Sequence, residues 1–262
     1  MRSYSFTHAI TRLPGSSITG GLRAVDSGAP DLATFTAHHA DYVAALRATG
    51  AEVRVLDALE DFPDAVFVED TALCLPEGAI VMRPGAPTRL GEAARMRPVL
   101  ETYYGDVREV EAPATIEGGD ILVTEKEILV GTSARTNEAG IAALTRLVSD
   151  WGYKVRTVNT PEGVLHFKTD CSLLDEETVL ATRRLAASGC FDGYRVIHVA
   201  DGEEAAANTI RFNDLVLMPA GFTATRDTLL SAGYSVREIG NSEAAKLDGG
   251  MSCLSLRFSP VR

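Results

Sequence analysis

Asp120-Ile-Leu-Val-Thr-Glu-Lys-Glu-Ile-Leu-Val-Gly131 reads as a hairpin of two short apolar strands. The stretch behind it, 137–151, places Ile141, Leu144, Leu147 and Val148 on one helical face. Gly152-Tyr-Lys-Val-Arg-Thr-Val158 then supplies a glycine helix stop and an alternating strand. The order is strand, strand, helix, strand. Its last phrase recurs as Gly50-Ala-Glu-Val-Arg-Val55, Gly105-Asp-Val-Arg-Glu-Val110, Gly193-Tyr-Arg-Val-Ile-His-Val199 and Gly233-Tyr-Ser-Val-Arg-Glu-Ile239. The central valines, at 53, 107, 155, 196 and 236, are spaced 40 to 54 residues apart, the mark of a modular array. Helix-like stretches precede the glycines at 32–48, 90–104 and 225–232, and hairpins precede the helices at 71–82, 171–181 and 209–218. The fourth unit has room for only a short helix between Arg184 and Gly193.

A helix in every unit argues against an all-β propeller of four-stranded blades. The expectation is an α/β fold of five ββαβ units, closed into a pseudo-symmetric ring around a central channel. No Pro/Ser-rich linker or charge run interrupts the array, so residues 1–262 are read as one domain.

Composition narrows the partners. A net charge of −11 disfavours nucleic acid and anionic membrane. The four cysteines are widely spaced with no C-x-x-C, which argues against a disulfide framework and a structural zinc site. The N-terminal residues lack an apolar h-region, and no apolar run is long enough to span a bilayer. A soluble protein of a reducing, cytoplasmic compartment is expected.

After each closing strand the chain reaches a loop that the repeat aims at the axis. These loops carry Asp64, Glu69 and Asp70; Glu117 beside Gly118-Gly119; His166 and Lys168; Asn208; and Cys253 behind Gly249-Gly250. Taken singly, the acids are equally solvated turn residues, His166 a core histidine, Asn208 a loop cap and Cys253 a buried structural thiol. Their shared phase in the repeat sets them apart. The glycine pair can adopt φ > 0, and Cys253 then stands at the mouth of a period-two strand, Leu254, Leu256, Phe258, where a nucleophile could be exposed. A thiolate with an imidazole nearby suits nucleophilic attack and proton donation to a leaving amine. Carboxylates beside a thiol raise its pKa, so they make sense against a cationic substrate, and a planar guanidinium is the natural match.

The motifs Phe62-Pro-Asp-Ala-Val-Phe-Val-Glu-Asp70, Ile116-Glu-Gly-Gly-Asp120, Leu165-His-Phe-Lys-Thr169 and Asp248-Gly-Gly-Met-Ser-Cys-Leu-Ser-Leu-Arg257 resemble the dimethylarginine dimethylaminohydrolase family of guanidino-modifying enzymes. The resemblance covers essentially the whole chain. It implies the pentein fold, a five-bladed α/β propeller, and metal-free, cofactor-free hydrolysis of a methylated arginine to citrulline. Cys253 would be the nucleophile and His166 the general acid and base. Glu117 and Asp64 would hold the guanidinium, with Glu69 also in the substrate site and Asp70 supporting the loop. Arg89 and Arg135 resemble arginines that grip the substrate carboxylate. Leu22 matches a lid residue whose backbone faces the substrate, and the Gly/Ser-rich stretch 15–28 suits a mobile lid. A homodimer is compatible with the resemblance. The rival readings are an arginine deiminase and a silent binding protein for arginine-like ligands. Arginine deiminases carry a second carboxylate two residues beyond the histidine, where this chain has Lys168. A lysine accepts no guanidinium N–H, so Lys168 is expected to point away from the substrate.

Overall fold

The structure, a computed structural model, describes residues 2–261. Five three-stranded sheets form, each with the same internal order. The chain opens with strand β1 (His8–Arg12), helix α1 (Leu32–Ala48) and strand β2 (Glu52–Leu56). The second unit is β3 (Ala72–Cys74), β4 (Ala79–Val81), α2 (Leu90–Leu100) and β5 (Val107–Glu109). The third is β6 (Ile121–Val123), β7 (Ile128–Thr132), α3 (Glu138–Leu147) and β8 (Val155–Asn159). The fourth is β9 (Cys171–Leu173), β10 (Thr178–Ala181), the four-residue α4 (Arg183–Ala186) and β11 (Arg195–His198). The fifth is β12 (Ile210–Phe212), β13 (Leu215–Pro219), α5 (Thr223–Ser231) and β14 (Ser235–Ile239), after which come α6 (Ser242–Ala245) and β15 (Leu256–Phe258).

In each sheet the hairpin is antiparallel and the strand after the helix joins parallel to the middle strand, as in β6-β7-β8. The first unit obtains its hairpin from both ends of the chain. β15 pairs antiparallel with β1, placing His8 opposite Phe258, and β1 pairs parallel with β2. This pairing closes the ring and is the one hairpin with no contiguous signature in the sequence.

Glycine at a left-handed φ stops the chain before four of the closing strands, at Gly50, Gly152, Gly193 and Gly233. Two helices end earlier than the apolar pattern suggests. α2 carries Pro98 inside its last turn and stops at Leu100, after which the bonding tightens, with Thr102 N on Val99 O and Tyr103 N on Leu100 O. In α3 the cap is Asn137, whose side chain accepts from Gly140 N, and Ile141, Leu144 and Val148 are buried while Leu147 is half-buried. Neighbouring units share their cores. Leu73, Leu75 and Ile80 of the second unit pack in one cluster with Ile128, Val130 and Leu144 of the third. Each such fully buried aliphatic side chain contributes about 1.5–3 kcal/mol. No helix among the described residues is long and apolar enough to cross a membrane.

Candidate active site

Each unit sends a single turn of 3-10 helix inward, ahead of its first strand: Val68–Thr71, Gly118–Asp120, Phe167–Thr169, Glu204–Ala207 and Ser252–Leu254. Side chains at the ends of these turns stitch one unit to the next. Asp70 Oδ1 accepts from Gly119 N at 2.9 Å, Asp120 Oδ1 from Phe167 N at 2.9 Å, and Asn208 Oδ1 from Ser252 N at 3.0 Å. Buried carboxylates and a carboxamide thus satisfy backbone N–H groups that a short turn leaves without partners.

A cleft of about 180 Å³ opens at one end of the channel, and Asp64, Asp70, Arg135, His166 and Cys253 line it. Cys253 lies inside its 3-10 turn, one turn ahead of β15, and is only 9 % exposed, not open to solvent as its place in the sequence suggests. Its Sγ accepts from Gly250 N at 3.4 Å and from Asn208 Nδ2 at 3.9 Å. Gly249 and Gly250 are also absent from the left-handed region; the residue there is Asp248, at φ 58°. The two glycines are required for space. A Cβ on Gly249 would come within 2.4 Å of the Phe67 ring, and one on Gly250 within 2.2 Å of the Asn208 carboxamide.

His166 Nε2 is 2.6 Å from Glu117 Oε2. Glu117 is fully buried, and its other oxygen accepts from Gly85 N at 3.0 Å, Ala86 N at 3.4 Å and Arg135 Nη1 at 3.3 Å. The imidazole reaches this position because Gly119 has no side chain: a Cβ there would lie 2.8 Å from His166 Cγ and 2.9 Å from Asp70 Oδ1. Burial opposes protonation of His166, but Asp70, the Glu117 bond and Asp120 outweigh it and push its pKa up to about 9. Burial likewise works against a charged Glu117, yet its bond to and charge from His166, together with Arg89 and Arg135, bring it down to about 2. At neutral pH the pair is imidazolium and carboxylate. The thiol of Cys253 is pushed up to about 12 by burial and by the charges of Glu69 and Asp70, with partial relief from Gly250 N–H and Lys168.

Asp64 and the roof complete the cleft. Asp64 Oδ1 accepts from Leu22 N at 2.9 Å, and Asp248 Oδ2 accepts from Ala24 N at 2.6 Å, so two carboxylates hold the 22–24 segment down over Cys253. Burial raises the Asp64 pKa against the pull of Arg89, Leu22 N–H and Arg135.

Two expected ligands of the substrate lie elsewhere or are already engaged. Glu69 does not line this cleft. Its Oε1 takes Lys168 Nζ at 2.5 Å and Arg257 Nη2 at 2.6 Å, and the three groups line a second cavity at the other end of the channel. Lys168 therefore does point away from the cleft, but as one member of a buried ion pair and not into solvent. Arg89 lines the cleft with its guanidinium almost fully occupied by Asp70 at 2.6 Å, by Glu92 through Nε and Nη2, and by the carbonyls of Asp64 and Phe67. One of its five N–H groups, on Nη1, is left over. Among the described residues the Arg135 guanidinium has one contact, at 3.3 Å with Glu117, and it is the better placed of the two for an incoming anion. Asn208 and Asp248 gain roles beyond those expected, as partner of the thiol and latch of the roof; Gly250, packed against the Asn208 carboxamide, was the signal for the first.

Asp70, Glu117 and His166 present ligand atoms within 4.8 Å of one another, close enough for a metal ion. Each is committed to a hydrogen bond, and the Arg89 guanidinium already occupies the cation position on Asp70.

A ring of five ββαβ units with a buried thiol, an imidazolium and carboxylates in one cleft defines a cysteine-dependent hydrolase of the pentein fold. Residues 57–216 match the arginine deiminase family model. The N(G),N(G)-dimethylarginine dimethylaminohydrolase of Pseudomonas aeruginosa is 38 % identical over 254 residues, covering 97 % of this chain and all of that one. Its crystal structure, a cysteine-to-serine mutant complexed with citrulline, superposes with a TM-score of 0.94 at 37 % identity, over 97 % of this chain and 100 % of that one. A dimethylarginine dimethylaminohydrolase captured as a histidine-to-glycine adduct with S-methyl-L-thiocitrulline matches equally, with a TM-score of 0.94, 37 % identity and the same coverage. The chain belongs to the arginine deiminase family, in its dimethylarginine dimethylaminohydrolase branch.

Proposed function

We propose that the protein hydrolyses Nω-methylated L-arginines to L-citrulline and the methylamine through a covalent adduct on Cys253. The observation that carries this reading is the convergence of the Cys253 thiol, the His166 imidazole held on Glu117, and Asp64 on one cleft. The His166 imidazolium cannot take the thiol proton, so it is poised to donate. Ionisation of Cys253 needs a cation to offset Glu69 and Asp70, and a guanidinium bound to Asp64 in the same cleft is such a cation. The thiol proton then leaves to solvent as the substrate enters. The thiolate attacks the guanidinium carbon, the bond from that carbon to the methylated nitrogen breaks, and His166 protonates the departing amine. Water gives one proton to the now neutral His166 and adds to the thiouronium carbon; the carbon–sulfur bond then breaks, returning the thiolate, and the second proton leaves to solvent as citrulline forms. Glu117 holds the imidazole in place and keeps it charged. Arg135 meets the substrate carboxylate, and the Leu22–Ala24 roof closes over the site.

Lys168 decides the choice of substrate. With its ammonium on Glu69, the cleft lacks the second acceptor that would bracket an unsubstituted guanidinium. Arginine leaves an N–H unpaired there at a cost of about 1–3 kcal/mol, and methyl groups remove that donor. Comparing kcat/KM for arginine, monomethylarginine and asymmetric dimethylarginine on one preparation, by colorimetric citrulline release, tests this. The methylated substrates should exceed arginine by about tenfold or more; arginine equal or better would make the protein a deiminase. The five units act in this as one catalytic domain of the free chain.

A further inference from the structure

A second cavity, about 350 Å³ and larger than the reactive cleft, lies at the opposite end of the channel. Its walls carry an unusual number of unsatisfied polar atoms. Ser3 Oγ, Glu69 Oε2, Ser172 Oγ, Thr209 Oγ1 and Ser252 Oγ are all buried, line this cavity and have no hydrogen-bond partner among the described residues. Buried polar groups without partners are rare, and several on one wall mark a place where something else supplies the bonds. Ser172, Thr209 and Ser252 are each less than 5 % exposed, so they do not simply face bulk solvent. The Ser252 hydroxyl lies beside the Glu69 carboxylate and helps keep it ionised, but without an aligned bond; the case rests on Ser172, Thr209 and Lys168.

The charge of the cavity selects the ligand. Lys168 and Arg257 converge on a single oxygen of Glu69. Glu69 is Lys168's one partner among the described residues, which leaves two of the three N–H donors of a buried ammonium unused. Arg2, Arg211 and Glu125 are the other charged groups on the wall, so cations outnumber carboxylates four to two. A second cation would face Lys168 and Arg257. A dianion would overturn the balance of one carboxylate against two cations in the interior, whereas a monoanion completes it. Leu73, Leu173 and Leu256 line the same space and suit a short apolar body.

We propose that this end of the channel is a binding site for a small organic monocarboxylate, its carboxylate held by Lys168 Nζ and the Ser172 and Thr209 hydroxyls and its alkyl part against the leucines. The site is separate from the cleft and does not depend on the reaction assigned there. Titration calorimetry of the full chain with butyrate, at fixed pH and ionic strength, tests it, with propylammonium as the cationic control. Saturable one-site binding of butyrate and none of propylammonium are expected. Ser172→Ala and Thr209→Val, which remove one hydroxyl each at nearly constant volume, should each weaken butyrate by about threefold or more, and Lys168→Met by about tenfold or more. Arg135→Ala, at the other end of the channel, should leave it unchanged. No saturable butyrate binding, equal binding to wild type and Ser172→Ala, loss of binding in Arg135→Ala, or preference for propylammonium would each overturn the proposal. If Lys168→Met does not fold, the two conservative variants still decide.

Discussion

The two ends of the channel use the same five turns for opposite purposes. At the cleft end, Asp64, Asp70 and Glu117 surround a thiol and an imidazole, and Asp64, with one oxygen free of hydrogen bonds among the described residues, is open to a cation. At the far end, Lys168 and Arg257 share Glu69, and the surplus is positive. Residues within one turn of each other serve different ends: Glu69 and Asp70 part company, as do His166 and Lys168. The difference teaches that the plug between the two chambers is itself an ion pair. Its charges reach the Cys253 thiol, Glu69 raising its pKa and Lys168 lowering it. Chemistry should fail on substitution at the cleft end, and stability on substitution at the plug.

The largest effect expected is Cys253→Ser. Serine has no comparable anionic form beside these carboxylates, so citrulline release should fall by about 10⁴-fold or more with an unchanged circular dichroism spectrum. Wild-type turnover in this variant would remove the nucleophile from the scheme. His166→Gly should lower turnover by about 10²–10⁴-fold. Acid-quenched samples should carry no more adduct on Cys253 than wild type accumulates, because the same imidazole must first donate and then accept; normal turnover would move the acid/base role to another residue.

At the plug, Lys168→Met breaks a buried pair but leaves Arg257 on Glu69, so the cost should sit near the lower end for such pairs, about 3 kcal/mol in denaturant unfolding. Its kcat should drop by less than about tenfold. A greater loss of kcat than of stability would mean that the two ends are not functionally distinct.

The smallest effect is one of pH. The raised pKa of His166 contributes stability that is fully present below its unfolded value of 6.5 and is lost as pH rises through about 9. The depressed pKa of Glu117 contributes stability present above 4.5 and lost as pH falls towards 2. The advantage of wild type over Glu117→Gln should therefore be greatest between about pH 4.5 and 6.5 and fade on both sides. In carbon-detected imidazole NMR, His166 should titrate near 9 in wild type and lower in Glu117→Gln. An unchanged titration would show that Glu117 positions the ring without charging it.

The repeat, the order of elements within it and the inward phase of the five loops were legible in the chain, since each rests on local signals: a glycine stop, an apolar period, an alternating strand. The cysteine, histidine and carboxylates could be picked out for the same reason, by their place in the period. What the tertiary structure alone decided begins with closure. β15 and β1 lie at opposite ends of the chain, and nothing local in His8–Arg12 names Leu256–Phe258 as its partner. The enclosure of Cys253, the Asp70 pair that occupies Arg89, and the close approach that Gly249 and Gly250 permit are likewise contacts between distant segments. The facing of Glu69 depends on geometry that phase does not carry. A 3-10 turn advances about 120° per residue, so Glu69 and Asp70 point in different directions. Which chamber each enters is set by the charges that other units bring to meet it, Lys168 and Arg257 for Glu69 and Arg89 for Asp70.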